Sequence, residues 1–140
     1  GLPVSDNPDQ GFVGSVDGAQ GQIPPNDYGV HASPVANLLR NYGVSANAVK
    51  GLSLTDLRRQ IASGHSVIAW VVGNVWTGSG VSYTSSDGST TTVAYNEHTV
   101  IVVGYDSSGY YIIDGGYSYY RSSAVFSSSF GALGNMAITH

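Results

Sequence analysis

His98 and Asp114 are the two residues of this chain whose types and spacing point most directly to acid–base chemistry. His98 opens the run Thr99-Val100-Ile101-Val102-Val103, which is β-branched throughout and ends at Gly104. Such a run predicts a strand buried on both faces. Asp114 closes the next run, Tyr110-Tyr111-Ile112-Ile113, and the tight Asp106-Ser107-Ser108-Gly109 link between the two predicts an antiparallel hairpin. The first residue of one strand and the last of the next then lie at the same end of the ladder, so imidazole and carboxylate can face each other. A carboxylate so placed holds the imidazole in one tautomer and stabilises its protonated form. These are the base and the orienting group of nucleophilic hydrolysis.

The nucleophile is missing. The chain has no cysteine, which excludes a resident thiol, a disulfide and a thiolate metal site. No Gly-x-Ser-x-Gly elbow is present. Ser33 is the one serine at a predicted helix start with a histidine, His31, close by, and helix capping accounts for it. No strand pair fixes a carboxylate beside His31, so it reads as a structural or substrate-facing imidazole. His65 reads as a surface turn residue. Asp6, Asn7, Asp9 and Asp17 could offer oxygens to calcium, yet their spacing does not match an EF-hand loop and no bidentate glutamate follows. They read as turn-forming side chains, and neither a metal nor another cofactor is expected.

The elements that must position these groups follow from the apolar pattern. Residues 1–32 carry Asn7-Pro8, Asp17-Gly18 and Pro24-Pro25 with no periodic apolar face, which predicts an irregular lead-in. Residues 33–63 predict two helices. The first is capped by Ser33, begins at Pro34, buries Val35, Leu38, Leu39 and Tyr42, and ends at Gly43. The second is capped by Ser53 or Thr55, turns Leu54, Leu57 and Ile61 inward, and stops at Ser63-Gly64. Residues 66–140 predict a sheet, with Ser66–Val75 as its central strand. An exposed hairpin is expected from Val81–Thr84 and Thr90–Tyr95 around an Asp87-Gly88 turn. A strand over Tyr117–Arg121 follows, then a short helix holding Val125, Phe126 and Phe130, and a terminal strand over Asn135–Thr139. Tyr117, Tyr119 and Tyr120 read as strand packing with wet hydroxyls. The fold class is therefore α+β in a single domain over 1–140: two N-terminal helices, then a mainly antiparallel sheet with a short late helix.

Composition bounds the partners. Five basic against nine acidic residues give a net charge of −4, and only 10% of residues are charged. The largest basic cluster is Arg58-Arg59, so no nucleic-acid partner is expected. No apolar run approaches the roughly 18 residues that span a bilayer, so no membrane is expected either. Sparse charge with abundant Gly, Ser, Thr and Tyr suggests a secreted, extracellular domain.

Several blocks also resemble a known family. His98-Thr99-Val100-Ile101-Val102-Val103-Gly104-Tyr105-Asp106, followed by Ile112-Ile113-Asp114-Gly115, is similar to the histidine and aspartate strands of the bacteriocin-processing (double-glycine leader) peptidase-like family. Tyr28-Gly29-Val30-His31-Ala32-Ser33-Pro34-Val35-Ala36, Leu54-Thr55-Asp56-Leu57-Arg58 and Val67-Ile68-Ala69-Trp70-Val71 look like further blocks of its secreted bacterial members. The resemblance implies a papain-like cysteine peptidase fold with His98 and Asp114 as catalytic residues and a peptide or protein as substrate. The family's cysteine opens a helix, expected upstream of these blocks. On that expectation the chain is the sheet-bearing portion of such a peptidase and is inactive as it stands, with self-association or a chain supplying the thiol segment as implied partners. The alternative is a thiol-free secreted structural, self-assembling or binding module on the same scaffold.

Overall fold

The structure, a computed structural model, describes residues 1–140. Its elements run α1 (Ala32–Asn41), β1 (Asn47–Val49), α2 (Leu54–Ala62), β2 (Val67–Val72), β3 (Val81–Thr84), β4 (Thr90–Val93), β5 (Glu97–Tyr105), β6 (Gly109–Asp114), β7 (Tyr117–Ser122), α3 (Ser123–Ala132) and β8 (Ala137–Thr139). Six strands form one antiparallel sheet in the order β1-β8-β2-β5-β6-β7, and β3 and β4 pair as a separate hairpin. No helix is long and apolar enough to cross a membrane.

The alternation along β2 divides the core. Val67, Ala69 and Val71 point to one face, where they meet Val100, Val102 and Ile112 of β5 and β6, Leu57 of α2, and Phe126 and Phe130 of α3. Trp70 and Val72 point to the other face, where they meet Ala32 and Ala36 of α1, Met136 and Ile138. The sheet is thus a layer between α2 and α3 on one side and α1 on the other. Phe126 and Phe130 stack one helical turn apart, with ring centroids 5.3 Å from each other, and fill the space beneath Tyr110.

Capping decides where the helices stop and start. Ser53 accepts from Asp56 N at 3.0 Å at the head of α2, and Ser122 accepts from Val125 N at 3.3 Å at the head of α3. At the tail of α1, Gly43 at φ +80 lets its own N–H reach Arg40 O and the Val44 N–H reach Leu39 O. These are the two bonds of a Schellman motif, and an L side chain at Gly43 would be strained there. Ser53→Ala should cost about 1 kcal/mol in a urea titration. An unchanged midpoint would show that water replaces the cap.

Three expectations are corrected. First, α1 begins at Ala32 with His31 as its N-cap, so Ser33 and Pro34 lie inside the first turn and Ser33 caps nothing. Proline is tolerated at any orphan N–H of that turn, so Pro34 did not have to be the first residue. Tyr42 lies outside the helix and is exposed, and Ala32, Pro34 and Ala36 are what α1 buries fully. Second, β5 is buried on one face only: Val100 and Val102 are in the core, whereas Ile101 and Val103 are exposed. Helix α1 packs on β1 and β8 and does not extend over β5 and β6. Third, the late helix is as long as α1, and Asn47–Val49 adds an edge strand paired with β8.

Candidate active site

His98 is the second residue of β5 and pairs with Val71 of β2, while Asp114 is the last residue of β6. The β5–β6 register pairs Ile101 with Ile113 and Val102 with Ile112. Carried one step further, that register sets Asp114 against Val100 and makes His98 its diagonal neighbour on the same face. The side chains meet: His98 Nε2 lies 2.6 Å from Asp114 Oδ1. The second carboxylate oxygen accepts from the Tyr119 hydroxyl at 2.7 Å. The Arg121 guanidinium lies over the Tyr119 ring at 4.1 Å, which fixes that ring against the carboxylate.

The electrostatics follow from this arrangement. Burial disfavours the Asp114 carboxylate, but hydrogen bonds from His98 and Tyr119 outweigh it and hold its carboxyl below the usual range. Burial, together with the same carboxylate, pushes the Tyr119 hydroxyl well above an ordinary phenol. The His98 side chain is 42% exposed and that of Asp114 only 12%. The orienting charge is therefore sheltered, while the imidazole reaches solvent. With Nε2 committed to Asp114, Nδ1 is the ring nitrogen left to take a proton from an attacking group.

A cleft of about 670 Å³ opens beside His98. Phe12, Tyr28 and Val30 wall it from the lead-in, Val35 from α1, and Ile68, Ile101 and Ile113 from the sheet. The open face of β5 and β6 is thus the floor of this cleft. The start of α1 forms its rim, and the Trp70 indole anchors that rim by donating to Val30 O at 2.9 Å.

Two features were not readable from the sequence. His31 does have a carboxylate: its Nδ1 lies 3.0 Å from Asp9 Oδ1, and its Nε2 lies 2.8 Å from the Tyr28 hydroxyl. Lys50 completes the chain with an ion pair to Asp9 Oδ2 at 2.7 Å. His31 is fully buried, and burial pushes its pKa down against the pull of Asp9. Burial also disfavours the Asp9 carboxylate, but hydrogen bonds from His31, Lys50 and Thr91 hold its carboxyl far below the usual range. This set ties the lead-in to α1. The second feature is Glu97, which lines the cleft next to His98. Burial pushes its carboxyl up to about 8, with only the Trp70 indole N–H acting in the other direction. A side chain at Gly29 would place its Cβ 2.8 Å from Glu97 Oε2, and Gly29 has φ +144, so glycine is required there.

The remaining sequence candidates scatter. Asp9 N–H donates to Asn7 Oδ1 at 2.9 Å, Asp6 accepts from Ser86 N at 2.7 Å, and no group of three metal-ligating side chains forms. His65 is exposed and packs at 5.1 Å on the ring of His140.

Comparison with known proteins converges on one family. The sequence model of the Peptidase_C39 like family matches residues 4–138. The crystal structure of a Bacillus anthracis protein described as a candidate C39-like peptidase superimposes with a TM-score of 0.75. That match covers 95% of this chain and 68% of the other at 23% identity, and so shows a shared fold. No curated protein matches the sequence.

Proposed function

The chain belongs to the peptidase C39-like family, and from that premise we propose that His98 and Asp114 are the base and the orienting acid of a papain-like site whose thiol this chain lacks. The observation that carries the reading is the 2.6 Å contact between His98 Nε2 and Asp114 Oδ1, at the mouth of a cleft large enough for a peptide segment. A thiol in reach of Nδ1 would lose its proton to the imidazole, and Asp114 would stabilise the resulting ion pair. The substrate side is a peptide or protein chain lying in the cleft, and the sparse charge supports an extracellular setting.

The segment leading into α1, Gly29, Val30 and His31, carries neither thiol nor hydroxyl, and Gly29 and Val30 share the lining of the cleft with His98. We therefore place the family's nucleophile position at the start of α1, with Val30 on the cleft wall in its place. As it stands the chain performs no thiol-dependent hydrolysis. The cleft and the oriented imidazole favour a second reading, a module that binds peptides without cleaving them.

The test is to introduce the thiol. Val30→Cys should react with iodoacetamide at pH 6.5 roughly tenfold or more faster than an ordinary thiol, because a free cysteine of pKa about 8.5 is only about 1% thiolate there. His98→Ala in that background should return the rate to the ordinary value. A Val30→Cys thiol that reacts slowly and ignores His98→Ala would remove the dyad from its role.

A further inference from the structure

We infer that the cleft is built to take an extended peptide carrying a lysine, whose ammonium pairs with Glu97 while an apolar residue of the same peptide lies on Ile68, Ile101 and Ile113. This rests on the reading of the cleft as a peptide site and names the peptide's chemistry.

Three observations carry it. The cleft residues include no Lys or Arg, so nothing already present neutralises Glu97. The other carboxylate on the wall, Asp27, is committed, since its Oδ1 accepts from Ser15 N at 2.8 Å. Glu97 is thus the carboxylate there with no partner beyond the Trp70 indole, and Gly29 is kept free of a side chain against it.

The second half of the site follows from the pleat. Glu97, Thr99 and Ile101 share one face of β5, Trp70 of β2 stands opposite Thr99, and Ile68 stands opposite Ile101. At about 3.3 Å per residue, Ile101 lies about 13 Å from Glu97 along the strand. A lysine stem over the exposed Thr99 reaches Glu97, and an apolar residue two to four positions along the peptide then falls on the isoleucines.

Binding is coupled to a proton. Burial pushes the free Glu97 carboxyl up to about 8, so at pH 6 to 7 it is a neutral acid. An arriving ammonium forms a salt bridge only as the carboxyl proton leaves to the buffer. Apparent affinity should therefore rise about tenfold from pH 6 to 7 and level off above pH 8, with close to one proton released per peptide at the lower pH. The groups that face Glu97 are Tyr28 and Asp27 from the lead-in and the Trp70 indole from β2, while His98, next on the strand, turns its side chain to the other face of the sheet. Behind Tyr28 stand His31 and Asp9. A protonated His98 would repel the same ammonium, so His98→Gln is the control.

The experiment is calorimetry on the whole chain with acetyl-Gly-Lys-Ser-Leu-Ser-Leu-amide and its norleucine twin, in buffers of different ionisation heat at pH 6, 7 and 9. The lysine peptide should bind at least tenfold more tightly than the twin at pH 9. Proton release at pH 6 should vanish in Glu97→Gln and persist in His98→Gln. Equal affinity for the two peptides, no binding of either, or proton release that follows His98 would each overturn the inference. Rapid alkylation of the Val30→Cys thiol alongside such a failure would leave the dyad standing and discard only the substrate chemistry. Lysine-selective binding beside an unreactive thiol would do the reverse.

Discussion

Trp70→Ala should destabilise the fold by about 3–5 kcal/mol, the range for emptying a large aromatic site from a core that relaxes only in part. The indole is 1% exposed and sits among Ala32, Ala36, Leu133, Met136 and Ile138, whose side chains can fill only part of the void an indole leaves. Trp70→Phe separates two effects, because it keeps most of the packing and deletes the N–H that donates to Val30 O. Leaving that carbonyl unpaired should cost about 1–3 kcal/mol and loosen the rim of the cleft. The measurement is urea unfolding of both variants together with amide exchange at 29–33. A phenylalanine variant with full stability and unchanged exchange at α1's start would show that the indole N–H does not hold the rim.

The consequence for function is that the cleft's two halves are set by one residue's opposite ends. The Trp70 backbone pairs with Thr99 in the ladder that places His98, and its indole holds Val30 on the cleft wall. Any chemistry between α1's start and His98 therefore depends on the β2–β5 register, which a one-residue slip would invert.

What the sequence disclosed and withheld follows from the range of each interaction. The His98–Asp114 pair was legible because a short turn fixes the register of adjacent strands, and both residues lie within 16 positions of each other in that hairpin. The His31–Asp9 pair was not, since the two lie 22 positions apart along irregular chain with no period to propagate a face. A β-branched run announces a strand but not its cover. Whether Ile101 is buried depends on where α1 lands, and α1 lands over β1 and β8, leaving the cleft open. The strand β1 was hidden by its length: Asn47 to Val49 pairs with β8, whose residues come about ninety positions later. Glu97 carried no signal at all, because the burial that perturbs it arises where the lead-in at Gly29 and β2 at Trp70 close on the start of β5, segments far apart in sequence.

The second large effect is that Glu97→Gln should stabilise the protein increasingly as pH rises. Burial lifts the folded-state carboxyl from an ordinary 4.5 to about 8, so between those values the folded chain keeps a proton that the unfolded chain has lost. Stability of the native chain must then fall as pH rises through that window, since the folded state binds more protons than the unfolded one. Glutamine mimics the neutral acid and has no proton to lose. At about 1.4 kcal/mol for each tenfold change in proton affinity, the full rise would amount to about 5 kcal/mol at pH 9. Glu97 lines an open cleft, and water there should reduce the realised gain to about 2–3 kcal/mol. At pH 5 the two proteins should unfold at nearly the same urea concentration. The other buried titrating set works in the opposite sense. Asp9 and His31, both held below their ordinary values, give stability that is lost as pH falls, and they are common to both proteins. The difference between the variant and the native chain therefore isolates Glu97. A difference that stays constant from pH 5 to 9 would mean that this carboxyl is already ionised in the free cleft, and that an arriving cation has no proton to displace.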